Sequence, residues 1–344
     1  MKTFALVNFL FLFIIILNSC EEKETENIAP FCTFIGPDNG QQIQQGTIVI
    51  ISVEADDSDG NITKVHFYIN GSEVGSSSSY PYNYVWNTSS ENVGNHTLEV
   101  VAVDNAGGSI TDKIEVSISG SVTDIEGNIY KTVKIGNQEW MAENLRTTKY
   151  SDGTAISLVA NNSSWKNLND NNAYCWYDND ISNKEKYGAL YNWAAAMNGS
   201  TIEMAQGVCP SGWHLPSDSE WFELQNYLIA NGYNYDGSTS GNSIAKSLAT
   251  KTGWETSSET GHIGNRQQEN NTSGFSALPG GDREIGVGIF NAQSRAGSWW
   301  SSSLYNISPR ETGAWSRELY YCDSVLMKGG IGKYNGCSVR CLKD

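Results

Sequence analysis

Between Val49 and Ser119 apolar residues recur at every second position, which restricts this stretch to strands that bury one face. Val49, Ile51, Val53 and Ala55 share a face; Val65, Phe67 and Ile69 oppose Lys64, His66 and Tyr68; Ile114, Val116 and Ile118 oppose Lys113, Glu115 and Ser117. Tyr82, Tyr84 and Trp86, then Leu98, Val100 and Ala102, repeat the pattern. Asn70-Gly71 is the pair favoured where both turn residues need positive φ, so it predicts a tight hairpin. About seven short strands separated by Gly, Ser, Asn and Asp turns amount to an all-β immunoglobulin-like sandwich.

After residue 121 the texture changes, for ten of the 11 tryptophans lie beyond it. Strands become short, and two helices are expected. Ser217-Asp218-Ser219-Glu220 is a capping box in which hydroxyl and carboxylate satisfy free amides. It opens a segment that places Trp221, Leu224, Tyr227 and Leu228 on one helix face. A second helix is expected around Ile244 to Ala249. A chain of 344 residues accommodates two folded units, here 28–119 and 121–344.

The N-terminus reads as an address. Asn8 is the only polar residue from Phe4 to Leu17, a run that suits a signal peptide and is too short to span a membrane. Leu17-Asn18-Ser19-Cys20 resembles the bacterial lipobox, which implies a signal peptide over 1–19 and lipidation of Cys20. Residues 20–27, with Glu21, Glu22, Glu24 and Glu26, form an acidic tether. An exported outer-membrane lipoprotein at the cell surface is the expectation. The net charge of −16 disfavours a nucleic-acid partner. Residues 20–120 hold three lysines and fifteen acids, so most of the acidity lies in the stalk.

The stretch DDSDGNITKVHFYINGSEVG and the corner VVAVDNAGG are similar to bacterial Ig-like modules. The stretches DIEGNIYKTVKIGNQEWMAENLRTTKYSDGTAI, AYCWYDND, YGALYNWAAA, GVCPSGWHLPSDSEW and SVRCLKD resemble the Fibrobacter succinogenes major paralogous domain over 122–344. GWHLPSDSEW followed by SVRC is more distantly similar to the formylglycine-generating-enzyme group. This implies an α+β C-type lectin-like fold for the second domain. In that fold a cysteine near the first helix is tied to one in the last strand, so the resemblance implies a Cys209–Cys341 disulfide. Six cysteines remain after Cys20 is set aside, an even number suited to an oxidising compartment. Cys322 and Cys337 are expected to cross-link neighbouring strands around Gly329-Gly330, and the pairing of Cys32 and Cys175 is open.

Catalytic motifs are sparse. His66, His96, His214 and His262 are scattered, with no HExxH or Cys-x-x-Cys spacing for zinc. The two cysteines that the related enzymes place shortly before the last strand have only Cys322 as a counterpart, so no catalytic residue or cofactor is assigned. Asp178 and Asp180 lie as turn residues between Tyr177 and Ile181, and His214 is expected to seat the helix start. Asp56, Asp57, Asp59 and Asp104 are candidate oxygen ligands for Ca²⁺, and the same residues make turns. Trp299 and Trp300 would point to opposite faces of a strand, so one is core while the other either packs under a loop or is the candidate aromatic anchor for a glycan or a surface protein. Binding is the expected function; an enzyme acting on surface glycans or peptides, or a structural subunit of a surface assembly, are the alternatives.

Overall fold

The computed structural model describes residues 26–168, 171–284, 286–308 and 311–344. The expected signal peptide over 1–19 and Cys20 lie outside the described residues. No described helix is long and apolar enough to cross a membrane.

The first unit is a sandwich of eight strands. One sheet orders Phe31–Gly36, Ile48–Asp56 and Tyr82–Asn87. The other orders Gln42–Gln44, Ser109–Ser119, Gly94–Asp104, Ile62–Ile69 and Ser72–Ser77. Alternation sets the inner faces: Ile51, Val53, Val65, Phe67, Leu98, Val100, Val116 and Ile118 join one core, with Trp86 among them. The hairpin turns at Asn70-Gly71, where φ is 51° and 78°, so that Ile69 pairs with Ser72. Phe31–Gly36 and Gln42–Gln44 are strands without an alternating signal, and the latter's three residues pair in parallel with Ser117 to Ser119.

In the second unit the chain's last strand returns to pair with an early one, Trp140 opposite Leu342. Trp213–His214, Leu342–Lys343, Gln138–Met141, Ile129–Ile135 and Ser121–Thr123 form one sheet, which joins both ends of the domain. Cys209 and Cys341 are disulfide-bonded across this closure, with Cα atoms 5.9 Å apart. A three-stranded meander, Ala296–Ser308, Glu311–Tyr320 and Met327–Gly332, makes the other large sheet. The helix Asp218–Ala230 begins at the predicted capping box and buries Trp221, Leu224 and Leu228. A single turn, Ala245–Leu248, is the second expected helix.

The strand Ala296–Ser308 runs between two cores. Trp299 joins Trp140, Trp221 and Phe275 on one side, and Trp300 joins Met141, Tyr191 and Cys341 on the other. Both tryptophans are therefore core, at 1% and 0% exposure, and neither is a surface anchor. Period-two reasoning treats one strand face as solvated, whereas from Ala296 to Ser303 this strand is buried on both faces. Trp299 Nε1 donates to Asn144 Oδ1 at 2.9 Å and Trp300 Nε1 to the Tyr191 carbonyl at 2.7 Å, so both polar edges are satisfied.

The second expected disulfide is absent: Cys322 is exposed, Cys337 is buried, and both are free. The meander register explains the separation. Glu318 pairs with Met327 and Gly313 with Gly332. Cys322 therefore lies in the turn at one end of this hairpin and Cys337 beyond the other, bridged to Tyr191. Gly329 and Gly330 lie within the strand Met327–Gly332 and make no turn. Cys32 and Cys175 are also free and buried. Burial pushes their thiols up to about 11 and about 12, which keeps them protonated and unreactive.

Candidate functional site

Nine of the ten tryptophans in the second domain are buried, so the exposed aromatic surface comes from other residues. Trp315 is half-buried, and Lys328 Nζ covers its ring 3.8 Å from the centroid. The exposed rings cluster along one helix and the loop after it: Phe222 at 55%, Tyr227 at 38% and Tyr235 at 45%, with Tyr233 half-buried between them.

Helix geometry produces this arrangement. Trp221, Leu224 and Leu228 define the buried stripe, and at 3.6 residues per turn Tyr227 falls roughly 100° from its centre. Tyr227 was expected on the buried face and is instead on its margin. Its ring lies 2.8 Å from the point where a Cβ on Gly136 would stand, and Gly136 has φ of 62°. The bare backbone thus seats the tyrosine. Tyr235 rests in the same way on Gly261, whose φ is 87°. The buried Asn234 side chain holds the loop between these rings by donating to the carbonyls of Ser238 and Ser240 at 2.9 and 3.1 Å.

Three depressions meet along this aromatic line. The first, about 380 Å³, lies between the two domains, with Gln42, Asn95 and Ser117 on one wall and Lys134, Tyr227, Tyr233, Lys251 and Asn271 on the other. The second, about 500 Å³, joins it at Tyr227 and is lined by Phe222, Asn137, Gln138 and Asn226. The third, about 330 Å³, joins it at Tyr233 and carries Tyr235. Gly274, with φ of 76°, stands in the interdomain wall, where a Cβ would lie 3.0 Å from Gln42 Nε2 and Val133 Cγ2, so a side chain there would crowd both walls. Amides, hydroxyls, aromatic rings and two lysines line the interdomain depression, and none of its lining residues is Asp, Glu, His or Cys. Burial raises the Tyr233 phenol, which therefore remains a hydrogen-bond donor at neutral pH.

The residues singled out in the sequence lie elsewhere. His214 is buried at the helix start, with Nε2 3.0 Å from Glu220 and Nδ1 2.8 Å from Asp344. Burial alone would lower its pKa, but the two carboxylates raise it. Asp178 has φ of 53° in a turn, and Asp180 accepts the Ser182 amide at 2.9 Å. Asp56 is exposed on the outer sheet face, Asp57 and Asp104 are buried, and Asp59 is exposed. Among the described residues no three His, Cys, Asp or Glu side chains are grouped to hold a metal by themselves.

The sequence from residue 133 to 343 matches the family described as the Fibrobacter succinogenes major domain. The chain belongs to this family. Residues 30–100 match the bacterial Ig domain, so the groove lies where a Fibrobacter succinogenes major domain meets an Ig domain. No curated protein matches the chain. Among solved structures, it is similar to fibronectin(III)-like modules of Clostridium thermocellum CbhA, at 26% identity over 27% of this chain and 48% of that one, with a TM-score of 0.25. It is also similar to carbohydrate-binding modules from the β-sandwich superfamily, at 18% identity over 29% and 38% of the two chains, with a TM-score of 0.24. A third likeness is to Bacteroides ovatus SGBP-B of a mixed-linkage glucan utilization locus, in complex with a heptasaccharide, at 15% identity over 36% and 38%, with a TM-score of 0.22. The chain spans less than half the length of each of these structures.

Nothing in the alternation or the motifs pointed to this groove, because its walls come from seven separated parts of the sequence. One local signal exists: Phe222 and Tyr227 are aromatics off the buried stripe of an otherwise amphipathic helix. Unpaired aromatics of that kind mark interaction surfaces more often than scattered aliphatics do.

Proposed function

We propose that this protein is lipid-anchored through Cys20 at the outer-membrane surface, and that its interdomain groove binds a carbohydrate chain. The observation that carries the reading is the lining of the groove: Tyr227 and Tyr233 provide ring faces, while Gln42, Asn95, Asn271 and Ser117 provide neutral donors and acceptors. Sugars present apolar ring faces and hydroxyls together, and this combination matches both. Lys134 and Lys251 favour an acidic glycan over a neutral one. The acid pair or thiol that glycan cleavage would use is not among the lining residues of that depression. The disulfide from the residue ahead of the long helix to the final strand, and the pairing of the domain's two ends, support a C-type lectin-like reading of the second domain.

A glycan array probed with the purified protein, followed by calorimetry on the strongest hit, tests the reading. Tyr227→Ala should weaken binding about tenfold or more with an unchanged melting temperature, by analogy with aromatic anchors at interfaces. Equal affinity of wild type and variant, or turnover of the glycan, would overturn it. Metabolic labelling with a palmitate analogue tests the anchor, and Cys20→Ala should abolish both the label and membrane retention.

A further inference from the structure

The rings of the groove set the length of chain it holds, and its charges set the composition of that chain. Gly232, with φ of 75°, lets the Tyr233 amide turn back onto the Leu228 carbonyl at 3.0 Å, which brings Tyr233 close to Tyr227 at the helix end. The Tyr235 amide donates to the Ser243 carbonyl at 3.1 Å, so the third ring is held as well. Phe222 and Tyr227 are about 7.5 Å apart along the helix axis, and Tyr233 and Tyr235 about 7 Å apart along the chain. Neither pair can stack on one sugar. The depressions at these rings share Tyr227 and Tyr233, and each is large enough for a small ligand, so an occupant of all of them is a chain. The lysines in the described ion pairs are Lys113, Lys328 and Lys343, which leaves Lys134 and Lys251 of the central depression free to meet a ligand. The exposed Glu223 lines the depression at Phe222. At Tyr235 the wall carries Glu269, paired with Arg266 at 3.6 Å, and the buried Lys246, whose ammonium donates to the Asn265 carbonyl. Cations thus stand at the centre, an acid at one end and offsetting charges at the other.

We infer, on the reading that the groove binds a glycan, that it takes the interior of a linear chain in which acidic sugars alternate with neutral ones. One carboxylate meets Lys134 and Lys251 through charge-assisted hydrogen bonds, and neutral sugars lie over Phe222 and Tyr235. A chain with an acid on every sugar brings like charge against Glu223, which rejects it. A chain with none leaves both lysines without a partner. The groove therefore selects the spacing of charge along the chain.

Calorimetry on the full chain tests this with hexasaccharides of hyaluronan, which has an acid on every second sugar, of polygalacturonate, which has one on every sugar, and of cellulose, which has none. The hyaluronan hexasaccharide should bind about tenfold or more tighter than either of the others and than its own disaccharide. Lys251→Gln should lower it to the level of the cellulose hexasaccharide. Glu223→Gln should raise the affinity for the polygalacturonate hexasaccharide by about threefold or more. Phe222→Ala should weaken the hyaluronan hexasaccharide and leave the disaccharide unchanged. Equal affinities across the hexasaccharides, or for hyaluronan disaccharide and hexasaccharide, while Tyr227→Ala still weakens binding, would overturn this inference and leave the groove reading standing. No affinity for any of these sugars, or no effect of Tyr227→Ala, would overturn the groove reading and the inference with it.

Discussion

Removing the Cys209–Cys341 cross-link is the perturbation whose size follows most directly from the fold. The bond closes a loop with a sequence separation of 132 residues. On the chain-entropy relation, a loop of this length stabilises by about 5 kcal/mol at 25 °C through restriction of the unfolded chain. Both cysteines are fully buried in the core that contains Trp300, Tyr191 and Met141, so the double variant Cys209→Ala/Cys341→Ala also loses some packing. Chemical denaturation followed by tryptophan fluorescence reads the change, since nine buried rings report on this domain. The expected loss is about 4 to 5 kcal/mol for the second domain, with the Ig transition unmoved. The denaturant slope should rise slightly, because the uncrosslinked unfolded chain exposes more surface. A loss below about 1 kcal/mol would show that the unfolded chain is already held compact, and it would refute the loop-entropy argument.

Two further outcomes follow from burial. Burial, Glu318 and Glu284 push the Asp282 carboxyl up to about 6, so it favours folding below the unfolded value and weakens the fold as pH rises through 6. Asp282→Asn should therefore stabilise at pH 7.5 by up to about 3 kcal/mol and have no effect near pH 3.5, and equal effects at the two pH values would count against this account. Trp299→Ala should destabilise by about 3 to 5 kcal/mol, as for large buried aromatics, while leaving the groove's ligand affinity unchanged in the folded fraction; lost affinity without lost stability would return Trp299 to the surface.

The sandwich was legible because each of its strands buries a single face, and Asn70-Gly71 fixed a turn by local chemistry alone. The helix Asp218–Ala230 was legible for the same reason, through its cap. Neither Trp299 nor Trp300 is an anchor because the part of the strand that carries them is covered on both sides, which no single-strand pattern reveals. The expected Cys322–Cys337 bond failed because pairing depends on hairpin register, and sequence proximity does not supply it. In contrast, the Cys209–Cys341 bond was available from family resemblance, which carries tertiary information that spacing lacks. The groove was invisible because it joins residues 40–42, 94–95, 117–118, 133–136, 227–233, 251 and 271–274, which meet only when the two domains pack.

The proposed ligand site is the groove between the Ig domain and the Fibrobacter succinogenes major domain. Hydrogen–deuterium exchange with and without a saturating oligosaccharide tests it most directly. Protection should appear in peptides covering 133–137, 222–235 and 271–274, together with 94–95 on the opposite wall. Protection confined to the meander around Trp315, or to the outer sheet face at Ile48 and Ile50, would contradict it.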